Sequence, residues 1–207
     1  MSNGINDIDF LKTVAIIPAR GGSKRLKYKN IYPIFDKPMI AWAIEACRRS
    51  QFIDEVLVST EDDEIATVAV SFGAQVIKRP NDLADDQMPK MEVIRHADQW
   101  LQSTRNHTAD IIVSVQANSP ELKTHDIDKG IQLLNDNQLF EVISVGSDMI
   151  QNASFRVIRQ TSLYNTFLSA HIGVVLNECT DVHTIEDVKT IEQRYVDADE
   201  FTTFLTR

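Results

Sequence analysis

The chain has few of the residues that staple, hinge or anchor a protein. Its two cysteines, Cys47 and Cys179, lie far apart in 207 residues. They offer neither a disulfide framework nor a metal-ligand spacing, and point to a reducing compartment, the cytoplasm. No apolar run approaches the ~20 residues of a membrane span. The segment Met1–Asp9 is polar and acidic, without a signal-peptide core. No stretch is rich enough in Gly, Pro or Ser to be a linker, and no internal repeat is visible, so residues 1–207 read as one domain. Basic residues are also short: 21 Lys and Arg against 30 Asp and Glu give a net charge of −9, which argues against a nucleic-acid-binding surface. With 43% hydrophobic and 25% charged residues, the composition is that of a globular rather than a disordered chain.

What is present is an alternation of two patterns. Thr13–Pro18, Glu55–Thr60, Asp110–Gln116, Glu141–Val145 and His171–Leu176 are short apolar runs rich in β-branched residues. Their continuous apolar character predicts strands covered on both faces. Between them, apolar residues recur at helical spacing: Ile40, Ala43, Ile44 and Cys47 behind a first-turn Pro38, then Ile65, Val68, Ala69 and Phe72 up to a stop at Gly73. Further helices are expected over Met91–Leu101, from Asp126 through Leu134, and from an N-cap at Thr184 through Tyr195. Strands alternating with helices predict an α/β fold with a mostly parallel sheet. The least regular stretch, 147–169, is expected to be a small appendage holding one extra strand at Phe155–Arg159.

In such a sheet, ligands bind beyond the C-terminal ends of the strands. The loop after the first strand runs from Pro18 to Asn30 and crowds Arg20, Lys24, Arg25, Lys27 and Lys29 into ten residues of an acidic protein. Gly21 and Gly22 let the backbone turn tightly, and successive N–H groups there form a candidate anion nest. The loop is neither a Walker A motif nor a Gly-x-Gly-x-x-Gly fingerprint. It reads as a phosphate site, against the plainer reading of a solvated basic loop.

Ile16-Ile-Pro-Ala-Arg-Gly-Gly-Ser-Lys24, followed by Lys29-Asn30-Ile31, resembles the signature of acylneuraminate cytidylyltransferases, the enzymes that activate sialic, pseudaminic and legionaminic acids. Asp36–Trp42, Val58–Ala66 and Arg79–Asp86 resemble later family segments in the same order, and the likeness returns over about 181–195. It implies a three-layer αβα, Rossmann-like nucleotidyltransferase fold with a mixed, mostly parallel sheet. The implied reaction transfers CMP from CTP to the anomeric hydroxyl of an acidic 2-keto sugar, with Mg2+ (Mn2+ as the alternative) and release of pyrophosphate. By the same resemblance Ala19, Arg20, Gly21, Gly22, Ser23, Lys24, Lys29, Asn30, Arg79 and Met88 hold the nucleotide. Arg20, Lys29 and Asp181 are the expected catalytic residues, Gln116, Asn118 and Lys123 face the sugar, and Asp181 and His183 stand at the metal positions. Competing structural readings make Arg25 and Lys27 plain surface charges, Asn30 a cap, Arg79 a loop-anchoring ion pair and Lys123 a surface lysine.

Three departures from the pattern stand out. Gln116-Ala-Asn-Ser-Pro120 has Asn118 where Kdo-activating relatives carry a metal-binding Asp, and Asn is the weaker ligand for a hard cation. His183 replaces the second metal-linked Asp, leaving three readings open: it binds metal, it bonds a phosphate, or metal binding is lost. The interval 146–180 is shorter than the arm by which the family pairs subunits, so the sugar side and the homodimer are expected to be reduced. A nucleotidyltransferase for another sugar, and a nucleotide-binding homologue without turnover, are the alternatives.

Overall fold

The computed structural model describes residues 11–85, 87–105, 108–166 and 170–197. Met1–Asp9, Asp86, His107 and the end of the expected appendage (167–169) lie outside the described residues.

The chain opens with β1 (Thr13–Pro18), followed by a hairpin of β2 (Pro33–Ile34) and β3 (Lys37–Pro38) and then α1 (Met39–Arg48). Next come β4 (Glu55–Thr60), α2 (Asp63–Ser71), β5 (Gln75–Lys78), α3 (Lys90–Arg105), β6 (Ile111–Val115) and α4 (Thr124–Asp136). The described residues end with β7 (Glu141–Val145), β8 (Gln151–Arg159), β9 (Ile172–Leu176) and α5 (Ile185–Asp197). Seven strands form one sheet in the order β5-β4-β1-β6-β8-β7-β9. All neighbours are parallel except β8, which runs antiparallel to both β6 and β7.

Strand alternation sorts the core into two layers. Ala15 and Ile17 of β1 pack with Ile40 and Ile44 of α1, Ile65 of α2 and Ile127 and Ile131 of α4. Val14 and Ile16 face the other way, onto Ile94, Ala97 and Leu101 of α3. Both faces of β1 are thus covered, as its unbroken apolar run requires. The expected three-layer αβα fold is the one observed. A third cluster joins Val188, Ile191 and Tyr195 of α5 to Leu26, Ile34, Met39 and Trp42. It seats α5 beside the loop that follows β1.

Two expectations need correction, and one strand was not expected. The stretch 147–169 is not an appendage over its described length. Gln151–Arg159 is an interior strand, with Val113 opposite Val157 and Val115 opposite Phe155. Its basic residues hide this role, because Arg156 pairs with Glu141 and Arg159 donates to the Leu139 carbonyl. Pro38 stands one position before the first helical residue, with an extended ψ of 136°. The edge strand β5 had no apolar run to reveal it, since only Ile77 in it is buried.

Candidate active site

The C-terminal ends of β1, β4 and β6 point to one side of the sheet, and the residues just beyond them build a cleft of about 200 Å³. Its wall holds Arg20, Lys29, Asn30, Arg79, Met88, Lys90, Gln116 and Asn118, with Leu83 and Asp85. A second hollow of about 280 Å³ is lined by Arg20, Ser23, Lys24, Arg25, Lys29 and His183. Arg20 and Lys29 belong to both, so the two spaces form one groove with a cationic waist.

The loop after β1 is fixed from behind. The Ala19 N–H donates to the Ser59 carbonyl at 3.0 Å, and the Asn30 side chain donates to the Arg20 carbonyl at 2.8 Å. The Gly21 N–H donates to Glu61 Oε1 at 2.7 Å. Glu61 Oε2 takes the guanidinium of Arg79, whose side chain is 3% exposed. Burial pushes the Glu61 carboxyl up, but bonds from Arg79 and from backbone N–H groups outweigh it and the net shift is down. Arg79 is therefore a loop-anchoring ion pair that also lines the cleft. The nest expectation changes accordingly: the Ala19 and Gly21 N–H groups are committed inward, and side chains supply most of the groove's donors.

The two glycines serve different ends. A Cβ on Gly21 would lie 2.5 Å from Asp62 Oδ2. Asp62 cannot move freely, because its Oδ1 accepts from the Glu64 and Ile65 N–H groups and caps α2. Gly22 has φ +59° with open space around it. Gly21→Ala is expected to cost about 1 kcal/mol through the disturbed cap and to weaken nucleotide binding through the displaced loop. Gly22→Ala is expected to cost a similar ~1 kcal/mol from backbone strain alone. Urea unfolding midpoints and CTP titrations of the two variants check this.

On the opposite wall, Asp181 is the hub. Its Oδ1 accepts from Gln116 Nε2 at 2.8 Å and from Asn118 Nδ2. Asn118 also donates to the Val182 carbonyl at 2.6 Å and accepts the Val182 N–H at 2.9 Å through its own carbonyl. The segment before α5 is thereby pinned to the loop after β6. His183 Nε2 lies 3.1 Å from Asp181 Oδ2, and its Nδ1 lies 3.2 Å from an Arg25 nitrogen. The expected Thr184 cap is present: Thr184 Oγ1 accepts the Asp187 N–H, while Asp187 Oδ2 accepts the N–H groups of His183 and Thr184.

These contacts test the metal expectation. A hard cation takes about six oxygen ligands. Around Asp181 the groups turned toward the carboxylate are N–H donors of Gln116, Asn118 and His183 rather than lone pairs. Among the described residues no cluster of three or more His, Cys, Asp or Glu is assembled. The arrangement does not fit a resident magnesium held by Asp181 and His183.

Two residues depart from the sequence reading. Lys123 precedes α4, exposed, and lines neither space. Lys90, at the first turn of α3, was not anticipated, yet its ammonium bonds Gln116 Oε1 inside the cleft. Desolvation lowers the Lys90 pKa, Asp181 opposes the shift, and Arg156 and Lys29 reinforce it. Lys29 behaves alike: desolvation lowers its pKa, Asp181 raises it, and Arg20 and Arg25 lower it. Glu61 carried a usable signal, standing directly after a strand. Lys90 carried none.

The chain resembles known proteins along most of its length. A family model described as cytidylyltransferase matches residues 14–203. An Escherichia coli N-acylneuraminate cytidylyltransferase is 43% identical over 86 residues, covering 42% of this chain and 20% of that protein. A Campylobacter jejuni pseudaminic acid cytidylyltransferase is 36% identical over 129 residues, covering 62% of this chain and 55% of that protein. The matched region is thus about half, or less, of these relatives' length. Among solved structures, a CMP:2-keto-3-deoxy-manno-octonic acid synthetase complexed with CTP superposes with a TM-score of 0.72 at 17% identity, covering 90% of this chain and 99% of that one. A cytidylyltransferase from Leptospira borgpetersenii gives a TM-score of 0.68 at 21% identity, covering 90% and 87%. These structures share the fold, and the sequence match across residues 14–203 makes the chain a member of the cytidylyltransferase family.

Proposed function

We propose that the protein transfers CMP from CTP to the anomeric hydroxyl of a nonulosonic acid of the sialic or pseudaminic type, releasing pyrophosphate. The observation that carries this is the bipartite groove. Asn30, Arg79, Leu83 and Met88 line a slot suited to a nucleoside, and Ser23, Lys24 and Arg25 line a hollow suited to phosphates. Arg20 and Lys29 stand at the waist, where the α-phosphate would lie. Gln116, Asn118 and Lys90 then face the acceptor. The acceptor oxygen attacks the α-phosphorus as the bond to the β-phosphate oxygen breaks. The hydroxyl proton passes to Asp181 Oδ2, which takes a single hydrogen bond at 3.1 Å and keeps a free lone pair. Positioning and charge neutralisation supply most of the rate.

Magnesium, or manganese, is proposed to arrive on the triphosphate rather than to reside on the protein. The cytoplasm, where CTP is made, is the proposed location, in keeping with the two free cysteines; no described helix is long and apolar enough to cross a membrane. A homodimer is proposed at the sheet edge, where Ile172, Val174 and Leu176 of β9 are exposed along one face. Sedimentation over a concentration series tests that pairing.

Pyrophosphate release from CTP is the direct assay, run with magnesium or manganese against sialic, pseudaminic and legionaminic acids and Kdo. Release with one acid establishes the reaction and its acceptor. The second reading, a CTP-binding homologue without turnover, draws on the three N–H donors that occupy Asp181. It predicts CTP binding with no release across the panel.

A further inference from the structure

Arg25 and His183 are 158 positions apart in sequence and in contact in the fold. A guanidinium carries donors only, so His183 Nδ1 accepts from Arg25 at 3.2 Å and the ring proton sits on Nε2, directed at Asp181 Oδ2. The imidazole is a strut: Asp181 holds one side and the other side holds Arg25. The backbone of the strut is fixed as well, because the His183 N–H is bound by Asp187 in the cap of α5. Arg25 itself is exposed on a loop, and its described hydrogen bond is the one to His183.

The position of this pair in the groove gives it a use. Arg25 and His183 line the hollow with Ser23 and Lys24 and do not line the nucleoside slot. A nucleotide whose α-phosphate sits at the Arg20–Lys29 waist would extend its terminal phosphates into that hollow. A carboxylate at position 183 would repel those phosphates unless a cation stood between them. An imidazole does not, and it delivers a guanidinium to the same place.

We propose that Arg25, positioned by His183, is a binding site for the terminal phosphates of the nucleotide and for the pyrophosphate product. This rests on the reading that the groove takes a triphosphate. Arg25 is the ligand-contacting group, and His183 acts through it. The pair supplies fixed charge where the donor set around Asp181 does not fit a metal ion.

Calorimetric titration with CTP, CMP and inorganic pyrophosphate separates these roles. Arg25→Ala is expected to weaken pyrophosphate about tenfold, the effect of one charge-assisted contact, and to leave CMP within about twofold of the parent. His183→Ala is expected to show most of the same loss. The double variant should bind pyrophosphate no more weakly than Arg25→Ala alone, because the histidine has nothing left to position. His183→Asn, which keeps an acceptor near the Nδ1 position, is expected to recover most of the affinity. Parent-like pyrophosphate binding by Arg25→Ala in a protein that binds CTP overturns the subsite. Additive losses in the double variant overturn the positioning role. A parent that binds neither CTP nor pyrophosphate overturns the nucleotide reading itself, and the subsite with it.

Discussion

Lys29→Ala is expected to lower kcat for pyrophosphate release by about 10²–10³, the usual cost of removing one preorganised donor from a developing oxyanion, while KM for CTP rises only a few-fold. The asymmetry follows from where Lys29 stands. It lines both hollows of the groove, so in the proposed reaction its ammonium faces the point where charge builds as pyrophosphate departs. Ground-state affinity is shared among Arg20, Lys24 and Arg25, so losing one cation costs binding less than catalysis. Saturating kinetics with both substrates give the split. Equal falls in affinity and turnover would make Lys29 an anchor. The pH profile gives an independent reading. Desolvation first, and then Arg20 and Arg25, hold the Lys29 pKa below the ordinary lysine value against the pull of Asp181. The charged form is therefore lost earlier on the alkaline side, and activity should decline there. Lys29→Arg, which stays protonated, should push that decline to higher pH.

The same electrostatics explain why a groove with so many cations folds in a protein of net charge −9. Burial, reinforced by the basic neighbours, lowers the pKa of both Lys29 and Lys90, and Asp181 opposes the shift. Asp181 Oδ1 accepts from Gln116 and Asn118, and its Oδ2, among the described residues, from His183 alone. The charge of the wall is thus offset in part by Asp181 and left positive in excess, which suits a polyanionic ligand better than a bare cluster of lysines would.

Much of this was legible in the sequence, for definite physical reasons. β1, β4 and β7 are apolar runs buried on both faces, and their predicted limits coincide with the observed ones. The glycine-rich loop could be placed beyond β1 because a parallel sheet presents its ligands there. The expected strand at Phe155–Arg159 lies within β8, but its start at Gln151 and its interior place are hidden because its alternation is broken by arginines whose partners, Glu141 and the Leu139 carbonyl, are supplied by the neighbouring strand and the turn before it. Lys90 and the Arg25–His183 contact were not legible because long-range packing creates them. Nothing local at Lys90 announces Gln116, and nothing near Arg25 announces a histidine beside α5. Lys123 shows the converse: a lysine standing where the family pattern has arginine, and expected to face the sugar, lines neither part of the groove.

Glu61→Ala is expected to destabilise the protein by about 3 kcal/mol, the low end of the cost of stripping one partner from a buried ion pair, and to weaken CTP binding at the same time. The removed carboxylate serves two elements. It pairs with Arg79, whose side chain is 3% exposed, and it receives the Gly21 N–H at 2.7 Å. Without it a guanidinium is left buried with its charge uncompensated, and the loop that carries Arg20 loses its tether. Glu61→Gln keeps an acceptor for Gly21 but not the charge for Arg79, and should fall between the parent and the alanine variant. The depressed Glu61 pKa fixes the pH dependence. Unfolding returns the carboxyl to the ordinary glutamate value, so the contribution is fully present above that value and lost as pH falls through the lower folded one. Urea unfolding midpoints measured from neutral pH downward should therefore converge for parent and Glu61→Ala as the solution turns acidic. A gap that persists unchanged at low pH would mean that the residue acts through packing rather than charge. Arg79→Met, which removes the other charge while keeping an apolar chain in the same volume, should cost less than Glu61→Ala, because it leaves a partly solvated carboxylate still bonded to Gly21 rather than a buried, unpaired guanidinium.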